Sequence, residues 1–159
     1  MCVLIKEVAK KWNCSERMIR EYCQKGVIPF AEKKGIRKNW YIPEDWPKPP
    51  MSRRGLCNLM SNVKQIQAGA SASKIKWCNS LNKEKGFEYL ISAGFISDFD
   101  YGNFEESVFT IVITPRGEDL LRRDDEEYKE KTKSVETNLQ GSAKLGPFEF
   151  TVGAKITGK

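Results

Sequence analysis

The chain reads as an α+β protein, mainly helical with small hairpins, and three observations carry that reading. Short segments with apolar residues at helical spacing recur from residue 4 to residue 121. Glycine, proline and asparagine interrupt them at intervals that fit turns and two-stranded hairpins. The last third becomes densely charged and then alternates apolar and polar residues at period two. The predicted organisation is one unit over residues 1–50, a second over 54–123, and a segment 124–159 made of a charged helix and a β-hairpin.

The first predicted helix is Ile5 to Trp12. Leu4 or Ile5, Val8 and Trp12 share one face, and Lys6, Lys10 and Lys11 lie on the wet side. Asn13 tolerates the left-handed conformation that turns a chain sharply out of a helix. Ser15 is the expected N-cap of a second helix, Glu16 to Gln24, with Glu16 in the first turn where the helix dipole favours an anion. Ile19 and Cys23 face inward, so Arg17, Arg20, Glu21 and Gln24 point outward, with Tyr22 at a flank. Gly26 ends the helix.

Beyond it, Val27–Phe30 and Trp40–Ile42 are predicted strands of a hairpin with a basic tip, turned by Gly35. The prolines at 43, 47, 49 and 50 mark Trp46–Ser52 as a linker or domain edge.

In the second unit, Leu56, Leu59, Met60, Val63 and Ile66 predict a helix. Lys74–Leu81 and Glu84–Ser92 predict two more, the latter directing Phe87, Leu90 and Ile91 inward until Gly94. Phe95-Ile96 and Val108–Ile113 read as strands around a polar loop, Asp98 to Ser107. Pro115 suits the first turn of a further helix, which runs on as an almost wholly charged stretch from Arg122 to Glu136. Residues 146–156 alternate as a strand or hairpin would.

Composition narrows the function classes. The 159 residues are 40% hydrophobic and 11% aromatic, which argues against wholesale disorder. Lys6, Glu7, Lys10 and Lys11 break the apolar core that a secretory signal needs, and no stretch approaches the ~20 apolar residues that span a bilayer. A cytoplasmic location and no membrane contact are therefore expected.

The five cysteines include no CxxC pair and the chain has no histidine, so neither a Cys/His zinc site nor any other metal is expected, and the thiols read as small core residues. No nucleophile–base pairing and no phosphate-binding glycine loop stands out. The chain reads as a non-enzyme without cofactor. The acidic group Asp98, Asp100, Glu105 and Glu106 lacks the rhythm of a calcium loop and reads as solvated. Trp12, Trp40, Tyr41 and Phe30 read as the core of the first unit rather than as base-stacking platforms.

Net charge is +6, unevenly placed: +7 over residues 1–54, +3 over 55–97 and −4 over 98–159. A polyanion would meet the amino-terminal part first.

The stretch IKEVAKKWNCSERMIREYCQKGVIP, followed after the basic hairpin by NWYIP, resembles the excisionase-like and MerR-like winged helix-turn-helix families. Val8-Ala9, Ser15, Arg20 with Tyr22, Gly26 and the aromatic-x-Ile-Pro strand at Trp40–Pro43 carry the resemblance. Asn13 stands where these families often have glycine, and Glu21 lies on the exposed face. The resemblance implies double-stranded DNA binding, with Glu16–Gln24 in the major groove and the hairpin flanking it on the backbone. Arg17 and Arg20 then contact guanine edges or phosphate. Ser15, Tyr22 and Lys25 suit phosphate contacts, and Lys33, Lys34, Arg37 and Lys38 form the wing's electrostatic footprint.

GFEYLISAGFI, a hairpin, then TPRGEDLL resembles a second winged helix more weakly, giving a tandem of such units. Its acidic wing suits a protein partner better than phosphate. The expected function is a transcriptional regulator or an excisionase-like accessory factor of a mobile element, acting as a homodimer. The alternative is a phage or mobile-element protein whose carboxyl-terminal part binds and inhibits a host protein in the manner of an anti-CRISPR, with an autoregulatory helix-turn-helix.

Overall fold

A computed structural model describes residues 1–97 and 99–144. Among them lie six α-helices and a small antiparallel sheet: β1 (Cys2–Leu4), α1 (Ile5–Trp12), α2 (Glu16–Gln24), β2 (Glu32–Lys34), β3 (Asn39–Pro43), α3 (Arg53–Gln67), α4 (Ser80–Ser92), α5 (Phe104–Thr110) and α6 (Pro115–Lys144). The chain is α+β and mostly helical. Residues 146–156, expected as a hairpin, lie outside the described residues.

Local chemistry sets the first helices. Ile5, Val8, Ala9 and Trp12 bury one face of α1, and Asn13 ends it in the left-handed region at φ 49°. Ser15 caps α2 by accepting from the Met18 amide at 3.2 Å. At its end Gly26 takes φ +73° and the Val27 amide donates back to the Tyr22 carbonyl at 2.9 Å.

The sheet order is β1-β3-β2, with Val3 opposite Ile42 and Lys33 opposite Trp40. The sequence reading missed β1, and it placed the first hairpin strand too early. Val27–Phe30 is a run of bends and turns, and the strand is Glu32–Lys34, wholly exposed. Pro29 has no amide donor to give to a ladder, and within the turn Val27 and Ile28 are buried in different cores.

The smaller core gathers Ile5, Val8, Ala9, Trp12, Ile19, Cys23, Ile28 and Ile42. The larger one joins α3 and α4 to Phe95, Ile96, Val108, Ile111 and Leu120, and takes in Val27. Tyr22 and Trp46 pack against both. The Tyr89 hydroxyl donates to the Val27 carbonyl at 2.8 Å and accepts from the Trp46 indole at 3.1 Å. The proline-rich stretch after Trp46 thus joins two cores inside one compact unit, Met1–Asp124; a second unit begins at Asp125, within α6. A buried carboxylate ties the first unit together: Asp124 accepts from Arg53 Nε at 3.2 Å and from Arg54.

The second half departs further from expectation. Lys74–Leu81 is not a helix; Ala72–Lys74 is a single 3-10 turn, and Asn79 caps α4 by accepting from the Asn82 amide. Tyr89, not Ile91, joins Phe87 and Leu90 in the core, and Ile91 is exposed. Among the described residues, the Ile96–Ile113 bridge is what remains of the second hairpin. The first half of its expected strand Val108–Ile113, Val108–Thr110, is the end of helix α5; Phe104 and Val108, with Ile111 just past the helix, recur at helical spacing and pack in the larger core. Glu105 and Glu106 favour the helix start, and Gln67 Nε2 donates to the Val108 and Ile111 carbonyls at 2.9 Å each. Phe109 and Val112 are left exposed.

Pro115 opens α6 as expected, with Thr114 Oγ1 accepting from the Gly117 amide at 3.2 Å.

Candidate nucleic-acid interface

Helix α2 has two unlike faces. Ile19, with no exposed surface, and Cys23 anchor it to the small core, while Arg17, Arg20, Glu21 and Gln24 are exposed on the opposite side. Successive helical residues turn by ~100°, which brings Arg17, Arg20 and Gln24 onto one narrow face. Because Ile19 and Cys23 fix the rotation of the helix, these side chains are presented in a set direction.

The remaining predicted residues divide by their partners. Ser15 is exposed and occupied in capping. Tyr22 is half-buried against both cores, and burial, with the neighbouring Cys14 and Glu21, raises its phenol above the ordinary value. Lys25 forms an ion pair with Glu21 one turn earlier. The carboxylate that would repel phosphate therefore has a cation beside it, and Lys25 shares its charge with Glu21.

On the hairpin, Lys34 pairs with Glu32 at 2.6 Å, and that hydrogen bond holds its ammonium above the ordinary value. Lys33 lies 4.8 Å above the Trp40 ring. Arg37 and Lys38 are exposed in the connecting turn, where Gly35 (φ +78°) and Lys38 (φ 49°) adopt left-handed backbone and the Lys38 amide donates to the Gly35 carbonyl. Ile36 stands fully exposed between them.

Both α2 and β3 pack on α1, so one small core holds the arginine face and the basic hairpin. Two lysines of α1 were not singled out beforehand: Lys6 and Lys10 line a shallow groove with Ala9, Asn13, Cys14 and Glu16 at the α1–α2 turn. Their place on the wet side of the first helix was the available signal. Other basic residues serve the fold, since Lys11 donates to the Glu44 carbonyl at 2.7 Å and Lys48 to the Trp12 carbonyl at 2.9 Å.

The aromatic residues expected in the core are not all there. Trp12 is buried, Trp40 and Tyr41 are half-buried, and Phe30 is exposed. Phe30 packs edge-on against Trp46 at 5.2 Å and lies under the Arg116 guanidinium at 4.7 Å.

Among the described residues, no three of the Cys, Asp and Glu side chains converge as a metal site. None of the five cysteines is in a disulfide, and Cys23 and Cys57 are buried. Among the described residues no helix is long and apolar enough to cross a membrane. No family model, curated protein or solved structure matches the chain.

Proposed function

We propose that the chain is a sequence-specific double-stranded DNA-binding protein, a regulator of transcription or an excisionase-like factor, in which α2 enters the major groove and the β2–β3 hairpin acts as a wing on the backbone. The observation that carries this reading is the two-faced α2: capped by Ser15, fixed in rotation by Ile19 and Cys23, and exposing Arg17, Arg20 and Gln24 together. Arginine presents a rigid fork that matches the two acceptors of guanine, and glutamine can pair with adenine. Lys33, Arg37, Lys38, Lys6 and Lys10 supply the charge that positions such a helix on phosphate. Among its described residues the second unit shows no comparable wing, since part of the expected one is helix α5.

One short helix reads few bases, so paired copies on two half-sites complete the proposal. Helix α6 suits such pairing. Tyr128 and Val135 are exposed seven residues apart. The acidic run Asp125–Glu127 precedes Lys129, Lys131 and Lys133, so two antiparallel copies crossing near Tyr128 set acid against base.

The test is a mobility-shift titration on operator sequences selected from a random library. Arg17→Ala/Arg20→Ala is expected to weaken specific binding at least ~30-fold, each bidentate contact being worth ~1–3 kcal/mol, with unchanged circular dichroism. Tyr128→Glu/Val135→Glu is expected to sediment as a monomer and lose the two-half-site complex. Unaltered binding by the arginine double variant overturns the assignment of α2.

A further inference from the structure

The tip of the hairpin carries an apolar side chain that the fold does not use. Gly35, Ile36, Arg37 and Lys38 form the turn between β2 and β3, closed by the Lys38 amide donating to the Gly35 carbonyl at 3.0 Å. Ile36 and Arg37 are its two central residues and stand at the apex. Ile36 is fully exposed and belongs to neither core. Turns favour Gly, Pro, Asn, Asp and Ser, each for a local reason, and a β-branched apolar residue offers none of these. A residue at odds with its local structure marks a place where function, rather than folding, sets the choice.

The sheet aims this side chain. Strand β3 pairs with β1 on one side and β2 on the other, and Lys34 opposite Asn39 is the last pair before the turn. Ile42, with no exposed surface, fixes β3 in the small core. The strand from Ile42 to Asn39 rises ~3.3 Å per residue, so the turn projects about 10 Å beyond that anchor. The minor groove of B-DNA is ~7.5 Å deep. Lys33, Lys34, Arg37 and Lys38 flank Ile36 in sequence, and Lys34 shares its charge with Glu32. One isoleucine amid cations suits a polyanion with an apolar interior. Duplex DNA is such a partner, with phosphates along both edges of the groove and the base stack at its floor.

We propose that Ile36 is a wedge that enters the minor groove next to the α2 contact and partly opens one base step, bending the duplex. Lys33, Arg37 and Lys38 hold the phosphates on either side. This inference rests on the DNA-binding reading and adds to it a bending role and a second point of sequence preference. Apolar side chains that insert between base pairs unstack them and kink the duplex. Pyrimidine–purine steps yield most easily, so a TA or CA/TG step flanking the α2 contact is the expected site.

The experiment uses the full chain and an operator duplex obtained by selection, with donor and acceptor dyes at its two ends and 2-aminopurine placed in turn at each flanking adenine. Wild type should shorten the dye separation to that of a bend within ~20–90° and brighten one 2-aminopurine position, the signature of an unstacked base. Ile36→Ser removes no core contact, so its circular dichroism should match wild type and it should still shift the duplex, but both signals should vanish. Ile36→Met, another wedge-forming side chain, should keep them. A duplex with a mismatch at the opened step has already lost stacking there, so wild type should prefer it about tenfold over the intact one, and Ile36→Ser less than about twofold. A wild-type complex with unbent DNA, or an Ile36→Ser complex that bends as wild type does, overturns the wedge and leaves the α2 assignment standing. Failure of the wild-type chain to hold any duplex overturns both.

Discussion

Cys23 and Tyr89 are ionisable side chains used as packing. Burial pushes the Cys23 thiol from 9.0 up to about 12, and it raises the Tyr89 phenol well above its usual 10.0 despite the Trp46 hydrogen bond. Both are raised acids, so the folded chain keeps its protons where the unfolded chain releases them. Their contribution to stability is complete below pH 9 and is lost as the pH climbs toward 12. Urea midpoints should fall steadily across that window, and Cys23→Ala should flatten the first part of the decline. An unchanged midpoint between pH 8 and pH 11 would contradict this account of both residues. A matching consequence concerns reactivity: thiol reagents should label exposed Cys2 and Cys78 in the native chain and leave Cys23 untouched.

At the scale of elements, the hairpin makes a separable prediction. It brings charge without packing: β2 is exposed throughout, and Ile36, Arg37 and Lys38 touch no core. If it sits on the DNA backbone, replacing Lys33, Arg37 and Lys38 by Gln should weaken binding about equally on specific and unrelated sequences. The slope of log affinity against log salt should become shallower by up to about 0.9 for each phosphate contact removed. A loss confined to the specific sequence would assign base reading to the wing.

The same scale shows what sequence could convey. Helices α1, α2 and α3 and the starts of α2 and α6 were legible because caps and periodicity agree there: Ser15, Asn13, Gly26 and Thr114-Pro115 each act locally. The exposure of Arg17 and Arg20 followed from Ile19 and Cys23. Helix α5 was not legible, since Val108–Ile113 is rich in β-branched residues, and its helical form depends on Phe104 and on Gln67, 41 residues before Val108. Strand β1 was hidden for a similar reason, because it exists by pairing with β3. The Glu21–Lys25 pair needed only one turn of helix, yet both residues were read singly.

For the whole molecule, Asp124 is the point on which distant parts converge. Its carboxylate is buried with Arg53, also buried, and binds Arg54 as well, so the start of α3 is fastened to α6 across 71 residues of sequence. Asp124→Asn leaves a buried guanidinium without its counter-charge and should cost ~3–5 kcal/mol in urea unfolding. Replacing Arg53 and Asp124 together by Met and Leu should recover much of that loss. A double variant no more stable than Asp124→Asn would show that the pair does more than neutralise itself.

The Trp46–Tyr89–Val27 linkage bears on how such a chain can be reused. A piece that ends at Pro50 would part Val27 and Tyr22 from the larger core and strip the Val27 carbonyl of its Tyr89 donor. Residues 1–50 grafted onto another protein should therefore tumble as a loosely ordered peptide, with poorly dispersed amide spectra, whereas residues 1–124 should give a folded spectrum. The natural unit of transplantation, whether by an engineer or by gene fusion, is the longer piece.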